Sequence, residues 1–233
     1  MKITPSFQPP PSSIWITKPL FLIANGKNPQ SGIHLEHDQF AGCSKVKRVE
    51  EGVTTMKGAV FLALQEMIMD EFDLDLWHQI IDAVGSDGVY TATLNYDDGE
   101  LMALLAEVCS RLSLSRADAL RHFGYYLFDF LHRGHPTFAD SKADFNSFIA
   151  SIDGVIHMEV MKLDDQARPP KIEVHTRSDG ETRLRYSSER NLCHLAEGLL
   201  RGAADHFGIS IELEQRCCRL EGADVCEFRI STP

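Results

Sequence analysis

Residues 171–190 read "KIEVHTRSDGETRLRYSSER", and this stretch sets the fold class. Two runs with a two-residue period, 171–176 and 182–188, flank an Asp-Gly pair, which is typical of a β-hairpin. Alternate side chains of a strand share a face. One face of the second strand therefore carries one apolar residue and three hydrogen-bond donors: Leu184, Tyr186, Ser188 and Arg190.

Outside the hairpin, the period of the apolar residues changes with position. Upstream, apolar residues recur at helical spacing and predict five helices, over 56–72, 74–84, 100–112, 116–133 and 143–163. Downstream, the pattern predicts one helix and two strands, over 192–208, 209–218 and 226–231. A helical half followed by an antiparallel-sheet half predicts an α+β fold.

The first 55 residues differ in composition from the rest. They hold six of the ten prolines and six basic against four acidic residues, whereas the whole chain has a net charge of −11. We expect either a disordered extension or an upstream segment preceding a true start at Met56. The domain is accordingly predicted to span 56–233.

The bulk properties exclude several function classes. A net charge of −11 argues against a broad nucleic-acid or anionic-membrane surface. No apolar run approaches the roughly 20 residues of a membrane span. Clustered cysteines favour a reducing, cytoplasmic compartment over a secreted disulfide scaffold. No phosphate-binding loop, metalloprotease helix or nucleophile elbow is present, so we expect a non-enzyme.

Two groups of residues could carry function. His157 borders the apolar face of the fifth predicted helix, where it is either a core histidine or a metal ligand. Tyr186, Ser188 and Arg190 form either a polar edge or a clamp for a carboxylate.

Four of the six cysteines lie near the end of the chain: Cys193, Cys217, Cys218 and Cys226. Four thiols suffice for a tetrahedral Zn²⁺ site, although their spacing matches no standard zinc finger. Buried apolar cysteines and a reversible disulfide are the alternatives.

Together these motifs resemble one family. "MKGAVFLALQEM" at the first helix, "IDGVIHMEVMKL", a double proline, and Y-x-S-x-R before "LCHLAEGLLRGAADHFG" are similar to the H-NOX domain. This is the haem nitric oxide/oxygen-binding domain of bacterial sensors and of soluble guanylate cyclase. The resemblance covers residue 56 to about residue 231 and implies a haem b held between the helical and sheet halves.

The resemblance also implies roles for single residues. His157 matches the proximal ligand of the haem iron, and Pro170 matches the proline that presses on the porphyrin. Tyr186, Ser188 and Arg190 match the trio that binds the haem propionates. Val60 and Leu199 match apolar residues packed on the ring.

Ligand choice follows from the distal positions of the same family. Oxygen-binding members have a distal tyrosine where this chain has Leu195, and the supporting polar positions correspond to Leu64 and Leu127. Bound dioxygen needs a hydrogen-bond donor. An apolar distal pocket therefore favours NO binding with O₂ excluded.

The resemblance finally implies a signalling role and a second metal. NO binding weakens the iron–histidine bond in the family, and the signal passes to a partner such as a histidine kinase or a cyclic-di-GMP enzyme. Some members bind Zn²⁺ at positions matching Cys193, Cys218 and Cys226, but the usual fourth ligand, a histidine, is replaced here by Gln215. The alternative function is a haem-free, Zn-binding or redox-sensing interaction module of the same fold.

Overall fold

The computed structural model describes residues 54–157, 161, 167–177 and 181–232. Residues 1–53 of the predicted extension and the Asp-Gly turn of the hairpin lie outside these described residues.

The described chain forms helices first and a sheet second, which confirms the α+β class. The helical half contains β1 (Thr55–Lys57), α1 (Gly58–Glu71), α2 (Leu74–Val84), β2 (Asn95–Asp97), α3 (Asp98–Leu112), α4 (Arg116–Gly134), α5 (Thr137–Asp140), α6 (Phe145–Ser151) and a π-helix (Ile152–His157). The second half contains β3 (Lys171–Thr176), β4 (Thr182–Ser187), α7 (Cys193–His206), β5 (Glu212–Cys217), a 3₁₀ turn (Arg219–Glu221) and β6 (Cys226–Ser231).

Side-chain caps fix where several helices begin. Asp73, Ser115 and Asp144 each precede a helix and accept a hydrogen bond from a backbone N–H in its first turn. Such caps satisfy donors that have no partner inside the helix and contribute roughly 1 kcal/mol each.

The second half is built on a four-stranded antiparallel sheet with the order β3-β4-β6-β5. Its register pairs Ile172 with Tyr186 and Tyr186 with Cys226. The predicted alternation along β4 is confirmed, because Leu184, Tyr186 and Ser188 are buried while their neighbours are less so. A second sheet pairs β1 with β2; three-residue strands are too short to show a period, so the sequence did not predict it.

The fifth predicted helix differs from the structure. It begins at Phe145 and changes from α- to π-geometry at Ile152, so that His157 ends a π-helical turn. The Asp153 carboxylate accepts a hydrogen bond at 3.2 Å from the Ile172 N–H of β3, which ties this turn to the sheet. π-helical turns occur frequently at functional sites. Most of the predicted continuation, 158–163, lies outside the described residues.

Helices α4 and α7 cross at two glycines. A Cβ atom added to Gly198 would lie 2.0 Å from the Arg121 carbonyl oxygen, and one added to Gly124 would lie 2.2 Å from the Leu195 carbonyl oxygen. These two glycines therefore let the backbones of α4 and α7 approach closely. Beside the crossing, the buried Glu197 accepts hydrogen bonds from Arg121 at 2.6 Å and from Arg201 at 3.1 Å.

Within the described part of the chain, no helix combines the length and the apolarity that crossing a bilayer requires.

Candidate cofactor-binding site

An apolar cavity of about 310 Å³ lies between the helical half and the sheet half. Helices α1, α4 and α7 contribute to its wall, as do the π-helix and strands β3 and β4. Eight of the ten residues that the resemblance assigns to a haem site line this cavity: Val60, His157, Pro170, Tyr186, Ser188, Arg190, Leu195 and Leu199.

The two remaining predicted residues, Leu64 and Leu127, are not on the cavity surface. Both are buried in the core of the helical half, in the same apolar cluster as Leu195. Both are apolar, so neither supplies a polar group to the cluster that contains Leu195.

His157 is held at the end of the π-helix by few contacts. Its ring Nδ1 lies 3.5 Å from Asp153 Oδ1, at the limit of a hydrogen bond, and its side chain is 15% exposed. Burial lowers the pKa of His157, while the bonds to Asp153 and to the Pro170 carbonyl oppose that shift. Because Asp153 contacts Nδ1, Nε2 is the ring nitrogen that would bind a metal.

Tyr186 and Ser188 form the polar end of the cavity together with Arg190. Burial raises the pKa of Tyr186 to about 12, so its phenol remains a donor throughout the physiological range, and a hydrogen bond with Ser188 opposes that shift. The Ser188 hydroxyl also accepts the Arg190 backbone N–H at 3.2 Å.

The Arg190 guanidinium makes three hydrogen bonds to other parts of the chain. It donates to Asp98 Oδ2 at 2.5 Å and to the Thr55 carbonyl at 2.6 Å, and its third bond goes to the Arg168 carbonyl. Asp98 Oδ1 is buried without a hydrogen-bond partner among the described residues. Arg190 thus already holds one carboxylate, the chemical group that the clamp was predicted to bind.

Sequence reasoning missed Asp98. It lies 92 positions from Arg190 and looks like an ordinary acidic residue in the first turn of a helix. Its burial, at 7% exposure, was the only departure from that role, and burial is not visible in a single sequence.

These residues fit a haem group. An imidazole at one wall of an apolar cavity can ligate iron. Donors at the polar end can bind two carboxylates, and the remaining lining is apolar.

Three cysteines form a separate group behind the polar end. Cys193, Cys218 and Cys226 are buried, with Sγ atoms 3.7 Å apart for the first two and 3.9 Å for the last two. The structure brings together the three thiols that the resemblance named. Cys217 is not part of this group and is disulfide-bonded.

A hydrogen bond between the thiols of Cys193 and Cys226 shifts both of their pKa values. A hydrogen bond from Cys226 lowers the pKa of Cys193 to about 5, and the same bond raises the pKa of Cys226. The Gln215 amide, at the position of the missing histidine, lies beside Cys193 and lowers its pKa further.

The fold and cavity are those of a haem-based sensor domain, and comparison with known families agrees. The sequence pattern that defines the haem-NO-binding family matches residues 57–215. The chain therefore belongs to the haem-NO-binding (H-NOX) family. Among curated proteins, none matches the sequence.

Solved H-NOX structures match the fold. One is an H-NOX protein from S. oneidensis in the Fe(II)NO ligation state, with 34% identity, a TM-score of 0.73, and coverage of 76% of this chain and 99% of that one. The H-NOX domain from Shewanella oneidensis in the Fe(II)CO state is 35% identical, with a TM-score of 0.71 and coverage of 76% and 99%. An unliganded Fe(II) H-NOX protein from K. algicida is 27% identical, with a TM-score of 0.69 and coverage of 76% and 97%.

Proposed function

We propose that this protein is a sensor of nitric oxide that uses ferrous haem b and excludes O₂. The observation that carries the proposal is that the His157 imidazole and the donors of the polar end open onto one apolar cavity. Haem, when bound, supplies the iron to which the gas binds. In the same proposal, residues 1–55 form an extension outside the sensor domain except at its end, where Thr55 belongs to β1 and accepts a hydrogen bond from Arg190.

The residues of the chain have separate tasks in this proposal. His157 presents Nε2 to the iron, and Asp153 orients the ring through Nδ1. Tyr186, Ser188 and Arg190 bind the propionates and so fix the position of the group in the cavity. Pro170 and Val60 supply apolar surface to its faces.

Exclusion of O₂ rests on the lack of a donor at the distal wall. Leu195 and Leu199 line this wall with apolar side chains, and Leu64 and Leu127 lie in the core beside it. Dioxygen on ferrous iron carries partial negative charge and gains from a donor, whereas NO binds strongly without one. The S. oneidensis relative, which binds NO, supports the same ligand here.

Signal output is proposed to pass to a separate protein in the cytoplasm, a histidine kinase or a cyclic-di-GMP enzyme, and the domain itself is proposed to have no catalytic activity. Helices α4 and α7 cross in direct backbone contact at Gly124 and Gly198. Because packed elements shift between discrete arrangements, a change at the cavity would be transmitted along these two helices to the surface.

Absorption spectra test the sensor. The purified, reduced protein is expected to show a Soret band that shifts when NO is added. His157→Gly is expected to lose most of its haem, and added imidazole is expected to restore the band, because it occupies the space of the deleted ring. His122→Gly, on the surface of α4 and paired with Glu71, is the matched control. A colourless protein that haem does not reconstitute would overturn the proposal and favour the haem-free module.

Gas selectivity is tested at Leu195. Leu195→Tyr is expected to introduce a stable oxy spectrum in air, because its hydroxyl supplies the missing donor. Leu195→Phe is the matched control, since it adds a ring of nearly the same size without the hydroxyl. A stable oxy complex in the unaltered protein would refute O₂ exclusion.

The thiol group favours a second, structural cofactor, Zn²⁺. At a Zn–S bond of about 2.3 Å, sulfurs at the corners of a tetrahedron lie about 3.8 Å apart. The observed separations of 3.7 and 3.9 Å fit this spacing. Because Gln215 replaces the histidine, we propose three thiolates, with the Gln215 amide or a water completing the shell.

Metal analysis tests the thiol site. Cys226→Ser is expected to reduce the bound Zn²⁺ by one equivalent, whereas Cys109→Ser on α3 is expected to leave it unchanged. Equal zinc content in both variants would refute the site. A disulfide among the three thiols, found by mass spectrometry of protein isolated without reductant, would instead favour redox sensing.

A further inference from the structure

The C-terminal ends of α4 and α7 bring two histidines to one aspartate. His132 Nε2 lies 2.8 Å and His206 Nε2 lies 3.2 Å from the same atom, Asp140 Oδ1. The two imidazole centroids are 4.3 Å apart. This group takes no part in the haem site or the thiol group.

We propose that His132, Asp140 and His206 form a surface site for a divalent transition ion of the Zn²⁺ class. Two imidazoles and one carboxylate are the ligand set that zinc uses where other coordination positions remain open to water. The hard ions Mg²⁺ and Ca²⁺ prefer all-oxygen ligands and fit this group poorly.

The distances fit such an ion. With Zn–N and Zn–O bonds of about 2.0–2.1 Å, two ligand atoms of a tetrahedron lie about 3.3 Å apart. The two imidazole–carboxylate separations of 2.8 and 3.2 Å are close to this value, and all three ligand atoms lie within 4.8 Å of one another. Small rotations of the side chains therefore suffice to close the site.

Aromatic packing holds both imidazoles in place. The His132 ring is stacked on Phe128 at 6.2 Å, and the His206 ring lies 5.7 Å from Phe128 and 5.0 Å from Phe207. Both histidine side chains are about four-fifths buried, whereas Asp140 is half exposed. Ordered rings lower the entropic cost of binding, and the exposed side leaves space for water ligands.

The local charge favours a cation. His132 lies in the last turn of α4 and His206 is the last residue of α7, so both stand at the negative end of a helix dipole. The neighbouring guanidinium of Arg133 pairs with Glu66 and with Asp129, the latter at 2.8 Å.

A bound ion would join α5 to the C-terminal ends of α4 and α7. It would therefore restrain the two helices that cross at Gly124 and Gly198. Phe128 also lines the haem cavity, so it forms a direct packing link between the two sites. The ion would thus make the packing of α4 against α7, which links the cavity to the surface, more rigid.

Calorimetric titration with Zn²⁺ tests the proposal. The sample is the full-length protein with haem bound and with other metal ions removed. His132→Ala and His206→Ala are each expected to weaken one Zn²⁺ site by at least about 100-fold, because loss of a ligand exceeds the effect of losing a supporting residue. Asp140→Asn, which keeps the shape of the side chain, is expected to weaken the same site. His122→Ala is the matched control: this histidine of α4 also pairs with a carboxylate, Glu71, at 2.7 Å.

The thiol site does not confuse this measurement, because its thiolates are unchanged in all four variants. The Soret band and circular dichroism verify that each variant is folded, and Zn²⁺ is expected to raise the melting temperature of the unaltered protein more than that of His206→Ala. Zn²⁺ isotherms that are identical for the unaltered protein and Asp140→Asn, or an equal loss of binding in His122→Ala, would overturn the proposal.

Discussion

The two ends of the cavity are held in opposite ways. At the polar end, Arg190 makes three side-chain hydrogen bonds, to Asp98, to the Thr55 carbonyl and to the Arg168 carbonyl. At the other end, His157 sits on a π-helical turn and its ring is 3.5 Å from Asp153. The polar end is a fixed anchor, and the histidine end is weakly restrained. The proposed sensor, in which the histidine would be released when gas binds, would need both properties.

The largest expected contrast is between a glycine at the α4–α7 crossing and a glycine in the π-helical turn that carries His157. Gly198→Ala is expected to destabilise the fold by at least about 3 kcal/mol, because the new Cβ meets the Arg121 carbonyl, which cannot move without separating α4 from α7. Gly154→Ala, in the π-helical turn, finds nothing within 4 Å and is expected to change stability by less than about 1 kcal/mol. Chemical denaturation measures both.

Gly134→Ala at the end of α4 is the control for adding a methyl group to this helix, because its Cβ would also meet open space. Equal stability of Gly198→Ala and Gly134→Ala would show that the helix crossing is not tightly packed.

The anchor itself is tested at Asp98. Asp98→Asn removes the charge that partners Arg190, and both side chains are only 10% exposed. We expect a loss of about 2 kcal/mol in unfolding free energy, since a buried cation is left without its counter-charge while the hydrogen-bonding shape is kept. Arg111→Ala breaks the more exposed pair with Glu107 and is the control, with an expected cost below about 1 kcal/mol. Equal losses would contradict an anchor at Asp98.

The smallest expected effect concerns the histidine end and depends on pH. In the haem-free protein, burial lowers the pKa of His157 below the value of about 6.5 that it has in the unfolded chain. The unfolded state therefore binds the proton more tightly, and this contribution to stability is complete above pH 6.5 and declines as the pH falls below it.

Asp153→Asn sharpens that prediction. The Asp153 carboxylate raises the pKa of His157 against the effect of burial, so its removal lowers the pKa further. We expect a steeper loss of stability on acidification, with a change below about 1 kcal/mol at pH 7. Denaturation midpoints of both proteins between pH 5 and 8 measure it, and parallel pH profiles would contradict the assigned contact.

Much of this architecture could be predicted from local patterns. The helices, the hairpin strands and the buried face of β4 follow from periods of 3.6 and 2, which report burial directly. Eight of the ten predicted site residues line the cavity, and they were identified from the order of short motifs along the chain.

The rest depends on contacts between distant parts of the chain. The pairing of Asp98 with Arg190, the β1–β2 sheet and the meeting of His132 with His206 join residues whose local surroundings look ordinary. The π-helical turn is likewise invisible in the sequence, because its apolar spacing resembles that of an α-helix, and its tie to β3 joins Asp153 to the distant Ile172.

The bond from Arg190 to the Thr55 carbonyl has a consequence for any shortened version of the protein. A chain begun at Met56 would replace this backbone acceptor with a charged amino group beside a guanidinium. Repulsion between the two cations would then act on the carboxylate-binding end. Thr55, just upstream of the family motif, therefore helps to hold Arg190 at the polar end of the cavity. Expression should begin well before this residue.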